Sequence, residues 1–213
     1  VSATDKAPVA APLARVRARR LILGPGTTTT RLFVECPVQA RLVAHDVCTD
    51  CPLGEAPAGD ERREHHVACK ELRAEIPRPA RSLEDPIFHA LSQLLCVSEN
   101  VLAKEAVSAL VDFGASGAAV VDAGGNLVGV VTKSDVGRAS TRAGDVPVRD
   151  VMTPSHFSLA PTATLSEAAA LMAWKGVHRV PIVAASGEVL GLLGALDVIR
   201  WIAPGEAPSP GSP

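Results

Sequence analysis

One stretch of this chain is written twice. A shift of 62 residues lays NVLAKEAVSALVDFGASGAAVVDAGGNLVGVVTKSDV over TATLSEAAALMAWKGVHRVPIVAASGEVLGLLGALDV without a gap. Identical pairs include Glu105 with Glu167, Gly114 with Gly176, Val121 with Val183, Gly125 with Gly187, Gly129 with Gly191 and Asp135 with Asp197. Helix residues and turn glycines coincide together, so the block is an internal duplication. That limits the fold sharply. Both copies must share one plan, and two related units can cover the sheet faces that each alone would expose.

Each copy predicts an amphipathic helix (AKEAVSALVDFG or SEAAALMAWKG) followed by a buried strand (GAAVV or RVPIV). A glycine turn, a second strand (LVGVV or VLGLL) and the start of another helix (SDVGRA or LDVIRWI) come next. Thr164 with Glu167 three residues on matches a capping box. Ala168, Leu171 and Met172 recur on one apolar helical face, and Gly114 and Gly176 stand where a left-handed C-cap is needed. The expected unit is β-α-β-β-α, and the fold class is α+β.

The remaining sequence divides by composition. Residues 1–26, rich in alanine and proline with Arg15, Arg17, Arg19 and Arg20, read as a flexible arm. Residues 27–79 read as a small cysteine-rich β module: TTTTRLFVEC as a strand, RLVAHDV as a second candidate, a turn at CTDCP, a polar loop, and a short strand in HHVACKEL. The repeats then occupy 80–145 and 146–203, and residues 204–213 form a flexible tail. The formal net charge of −2 provides no global positive field to hold nucleic acid or an anionic membrane. No apolar run reaches the roughly 18 residues of a membrane span. The first 20 residues show no secretory pattern, and a cysteine count that does not read as a disulfide framework makes a reducing cytoplasm the expected setting.

Five cysteines, an odd number, do not suggest a disulfide framework. Cys36, Cys48, Cys51 and Cys69 cluster with the spacing C-x11-C-x2-C-x17-C. The Cys48–Cys51 pair has knuckle spacing, and the outer two sit in strands that can return to it. Four thiolates would make a structural, closed zinc site in a ribbon-like fold. An iron–sulfur centre, unliganded thiols or disulfides remain alternatives, and His65 or His66 could stand in for Cys69. Cys96, within LLCV, reads as a buried inert thiol. No G-x-S-x-G, H-E-x-x-H or P-loop occurs, and no conventional catalytic domain fits beside the repeats, so an enzyme is not expected.

The duplicated pattern resembles the CBS domain, and the two copies resemble a tandem CBS pair, or Bateman module. The resemblance rests on VRDVMTP at 148–154, GVHRVPIV, GEVLGLLGALD and, in the first copy, GNLVGVVTKSD. The first copy begins less typically, with FHALSQLLCVSEN. It implies an adenine nucleotide in the cleft between repeats. In the first copy Thr132 and Asp135 are the implied ribose–phosphate residues, with Gly117 and Ala118 leaving room for a flat base, and Ser116 and Gly117 stand uncharged where the second copy has His178 and Arg179. In the second, Asp197 is retained but Gly194 replaces the threonine, while His178 and Arg179 add phosphate-binding groups. Pro181 would border the base, and Thr153 and Pro154 would line the cleft from the linker. On this division the first copy supplies the ribose grip and the second the phosphate contact.

The implied function is a regulatory sensor that binds an adenine nucleotide, forms a homodimer through the repeats and relays the signal to an unidentified protein partner. Helical faces with Leu110, Met172 and Trp174 are candidates for the dimer contact, or else fill the core of one chain. One alternative is a structural or interaction module with empty clefts, which Gly194 favours. A weaker one is nucleic-acid binding through a zinc ribbon and the arginine arm, against which the charge balance and scarcity of aromatics argue.

Overall fold

The computed structural model describes residues 13–36, 38–39, 41–55, 66–69, 81–92, 94–139 and 146–203. The expected polar loop GEAPAGDERREHH lies outside these residues except at its ends, where Gly54–Glu55 and His66 are strand residues and not loop. Residues 76–80 of the break at IPRPAR, residues 1–12 and residues 204–213 also lie outside, as does His65. In the first repeat, β6 (Leu94–Ser98), α3 (Ala103–Asp112), β7 (Gly117–Val121), β8 (Leu127–Thr132) and α4 (Lys133–Ala139) follow the expected β-α-β-β-α order. The second repeat has α5 (Leu165–Lys175), β10 (Arg179–Val183), β11 (Val189–Gly194) and α6 (Ala195–Ile202). Its first strand is reduced to a parallel bridge between Leu159 and Ile182. The counterpart in the first repeat is the parallel pair Val97–Val120, displaced by the same 62 residues. The helix ends obey their local chemistry: Thr164 and Glu167 form the capping box, and Gly176 closes α5 at φ 65°.

The two repeats exchange their lead-in segments. Ahead of the first repeat, α2 (Ile87–Ala90) leans on the second: the Ile87 amide donates to the Ala163 carbonyl at 2.8 Å, and Leu165 N donates to Asp85 O at 3.0 Å. Ahead of the second, the turn at Val148–Asp150 leans on the first: Val148 N donates to Val101 O at 2.7 Å, and Ala103 N to Val146 O at 2.8 Å. Val148 therefore joins Leu95, Val97, Leu110, Val120 and Val131 in one core. Ile87 and Phe88 join Leu165, Met172, Ile182 and Leu193 in the other. Leu110 and Met172 fill these cores, whereas Trp174 is 81% exposed. A third cluster, Cys96, Ala119 and Val121 against Val189 and Leu192, holds repeat to repeat.

The N-terminal region departs from expectation. Residues 13–24 are no flexible arm: they form β1 (Leu13–Gly24). It pairs antiparallel with β2 (Thr27–Cys36) and parallel with β6. The sheet runs β3-β2-β1-β6-β7-β8-β9, with β3 at Arg41–Ala44 and β9 at Thr153–Pro154. The expected separate cysteine-rich module is thus continuous with the sheet of the first repeat. Its remaining pieces are α1 (His45–Thr49), where the second half of RLVAHDV turns helical, β4 (Gly54–Glu55) and β5 (His66–Cys69). β5 pairs with β1 and β4.

The run of arginines is absorbed by this sheet. Alternation along β1 puts Arg17 and Arg19 inward, where both are buried. Arg17 meets Glu35 at 2.5 Å and donates to the carbonyls of Leu91 and His89. Arg19 donates to Val189 O at 2.6 Å and pairs with Glu188 of the second repeat. The strand hydrogen-bonded to one repeat therefore grips the other with its side chains. Buried charge survives here because each guanidinium finds both a carboxylate and backbone acceptors.

Candidate functional site

Between the repeats lies a cavity of about 420 Å³, within the range of small-ligand sites, about 300–1,000 Å³. The first repeat contributes a wall of small residues, Gly114 to Gly117, with Leu95 and Ser92. The second contributes His178 and Arg179 at the head of β10, and Gly194 to Asp197 with Arg200 from the β11–α6 junction. Two guanidiniums, an imidazole and one carboxylate thus face a cleft at the first turn of a helix. That is a set suited to an anion bearing neighbouring hydroxyls.

Backbone geometry builds this arrangement. The Gly194 amide donates to Asp197 Oδ2 at 2.8 Å, so the carboxylate caps α6 and is held at the cavity edge. A β-carbon on Gly194 would sit 3.2 Å from that oxygen. Across the cleft, a β-carbon on Gly117 would sit 3.3 Å from Arg179 Nε and 2.9 Å from the Val131 carbonyl oxygen. Glycine at 117 is what allows Arg179 to lie against the first repeat.

Six of the expected residues come together here: Ser116, Gly117, His178, Arg179, Gly194 and Asp197. The others do not line this cavity. Thr132 donates through both its amide and its hydroxyl to Asp135 Oδ2, at 2.9 and 2.6 Å, and Asp135 is buried. The pair caps its own helix and does not form the expected ribose grip of this cleft. Ala118 belongs to the first core. Pro181 is buried in β10 opposite Leu192. Thr153 and Pro154 are spent as β9 on the edge of β8. At this cavity the cations come from the second repeat, as expected of the phosphate contact, and the carboxylate that lines it is Asp197 of the same repeat. Ser92, Leu95 and Arg200 were not anticipated. Arg200 stands one turn beyond Leu196 on α6, so the helical period starting from Asp197 was the available signal.

The four clustered cysteines are free thiols, as is Cys96. Burial raises the Cys48 pKa, and Cys36, Cys51 and Cys69 add to the rise, so each of the three lies within electrostatic reach of Cys48. Among the described residues, no three acidic, histidine or cysteine side chains already stand at metal-ligand spacing. Cys96 is fully buried, its thiol pushed up to about 11 by burial, and it donates to Val189 O at 3.3 Å. It packs, as expected, and is a poor nucleophile. Among the described residues, no helix is long and apolar enough to cross a membrane.

Comparison with known proteins agrees with this architecture. The family model described as CBS domain matches residues 84–141 and 148–204. An inosine-5'-monophosphate dehydrogenase of Korarchaeum cryptofilum is 35% identical over 108 residues, covering 51% of this chain and 22% of the enzyme. The chain thus spans about a fifth of that relative's length. The CBS domain of a CBS domain-containing membrane protein from Sphaerobacter thermophilus superposes with a TM-score of 0.50 at 24% identity, over 58% of this chain and 92% of that one. The CBS domain pair of protein MJ0100, in complex with 5'-methylthioadenosine and S-adenosyl-L-methionine, gives 0.50 at 22% identity, over 55% and 99%.

Proposed function

The chain belongs to the CBS-domain family, a family of non-catalytic modules, and from that premise we propose that it is a regulatory sensor taking an adenosine-containing ligand in the inter-repeat cleft. The observation that carries the reading is the cavity itself, with Asp197, Arg179, Arg200 and His178 around one opening. In this reading Asp197 accepts hydrogen bonds from the ribose hydroxyls. Arg179 and Arg200 hold phosphate or another anionic group, assisted by His178. The glycine–alanine–serine wall at 114–117 receives the base edge-on. The adenosine ligands named with MJ0100 lend support by chemistry.

Sensing requires a ligand to favour one arrangement of the repeats over another. The output in this proposal runs through β1, whose backbone belongs to the first repeat's sheet and whose Arg19 holds the second repeat at Glu188 and Val189. A homodimer, a protein partner that reads the change, and a cytoplasmic setting complete the proposal. The nucleic-acid alternative loses two of the four arginines of its arm, because Arg17 and Arg19 are buried.

Calorimetry of the full chain with AMP, ADP, ATP and S-adenosylmethionine tests the proposal. Saturable heat is expected for at least one ligand, abolished in Arg179→Gln. Absence of heat from all four at millimolar concentration leaves an interaction module with empty clefts.

A further inference from the structure

Four cysteines from separate pieces of chain lie around one end of the sheet, near one another but not at metal-ligand spacing. Cys36 is the last residue of β2, opposite Arg41 of β3. Cys48 lies in α1, and the Cys51 amide donates to its carbonyl at 3.2 Å, a tight turn that carries both thiols. Cys69 ends β5, opposite Gly54 of β4. Cys36, Cys48 and Cys69 pack with Leu53, Val34 and Val43 in one small apolar cluster. The elements here are short: five residues in α1, two in β4 and four in β5. Pieces of that length do not hold themselves in place, and a core built from alanine, valine and cysteine is too thin to hold them.

We propose that Cys36, Cys48, Cys51 and Cys69 bind one Zn²⁺ as a closed four-thiolate site that pins α1, β4 and β5 against β1. A single C-x-x-C knuckle with two returning strand cysteines satisfies tetrahedral coordination by soft ligands. On binding, each thiol gives its proton to solvent, and the ion draws the sulfurs in to about 2.3 Å. With no position left open, the site is structural. It sits beside the strand that joins both repeats, because β2 and β5, which end in Cys36 and Cys69, both pair with β1, so its loss loosens the contact between the repeats.

The test uses the full chain, purified reduced and without chelator. Mass spectrometry of the metal content should give about one zinc per chain, retained in Cys96→Ala and lost in Cys48→Ser. Should Cys48→Ser prove insoluble, Co²⁺ added to the metal-stripped wild-type chain decides. Tetrahedral d–d bands with strong thiolate-to-cobalt charge transfer support the site. Negligible zinc with no cobalt bands overturns it, as does iron with visible absorbance or a pair of disulfides. None of these outcomes depends on nucleotide binding.

Discussion

A hydroxyl separates the two copies at their most informative position. In the first, Thr132 covers Asp135 with two hydrogen bonds. In the second, Gly194 offers Asp197 only its amide, and the carboxylate remains half-buried at the cavity edge. Gly194, which by itself favoured an empty cleft, instead leaves room at that carboxylate. The two aspartates should therefore part company on mutation. Asp197→Asn is expected to weaken nucleotide binding at least tenfold in calorimetry. Asp135→Ala should leave affinity within twofold and cost about 1–2 kcal/mol in urea denaturation, the size of a lost helix cap and its hydrogen bonds. Gly117→Ala is a third case. Its new methyl would meet the Val131 carbonyl oxygen at 2.9 Å, and overpacking of this kind costs about 1–3 kcal/mol. Denaturation together with ligand titration should show both stability and affinity falling.

At the scale of elements, the duplicated block was legible because its helices and strands satisfy their own local rules. The capping box at Thr164, the left-handed glycine at 176 and the apolar strands needed no distant partner to be recognised. β1 was misread because its inward residues are arginines, and burial of Arg17 and Arg19 depends on Glu35 and on carbonyls as far away as Leu91 and Val189. Only the alternation of Val16, Arg17, Ala18 and Arg19 hinted at a strand. The cleft was half legible for the same reason: Asp197 and Arg179 announce themselves, but which copy opens depends on a hydrogen bond made in three dimensions.

The same strand carries a pH signature. Burial pushes the Glu35 carboxyl up, but the hydrogen bond from His89 and the charge of Arg17 outweigh it and hold the carboxyl below its ordinary range. Burial pulls Arg17 down, partly offset by Glu35, yet a guanidinium stays charged at any working pH. Since the folded carboxyl is the stronger acid, its contribution is complete above the ordinary value of about 4.3 and is lost as pH falls through and below it. Glu35→Gln should flatten that acid limb in thermal melts from pH 7 to pH 3. At neutral pH it should cost about 3 kcal/mol, because Arg17 is left buried without its counter-charge.

For the whole molecule, the exposed apolar residues Leu196, Ile199 and Ile202 share α6. Light scattering should find a homodimer in the wild type and a monomer in Ile199→Glu. A bound nucleotide should raise the melting midpoint, by the equivalent of about 2.7 kcal/mol at a hundredfold excess over Kd.

The traded lead-in segments also bear on how the polypeptide is made. Ile87 and Phe88 leave the ribosome long before their resting place, which the backbone of Pro161 and Ala163 and the Trp201 indole complete; the indole reaches Asp85 at 2.8 Å. Until the last helix emerges, those side chains stay uncovered and prone to adventitious contact. A nascent chain stalled after the first repeat would present a sticky surface, and synthesis of the second repeat is what hides it.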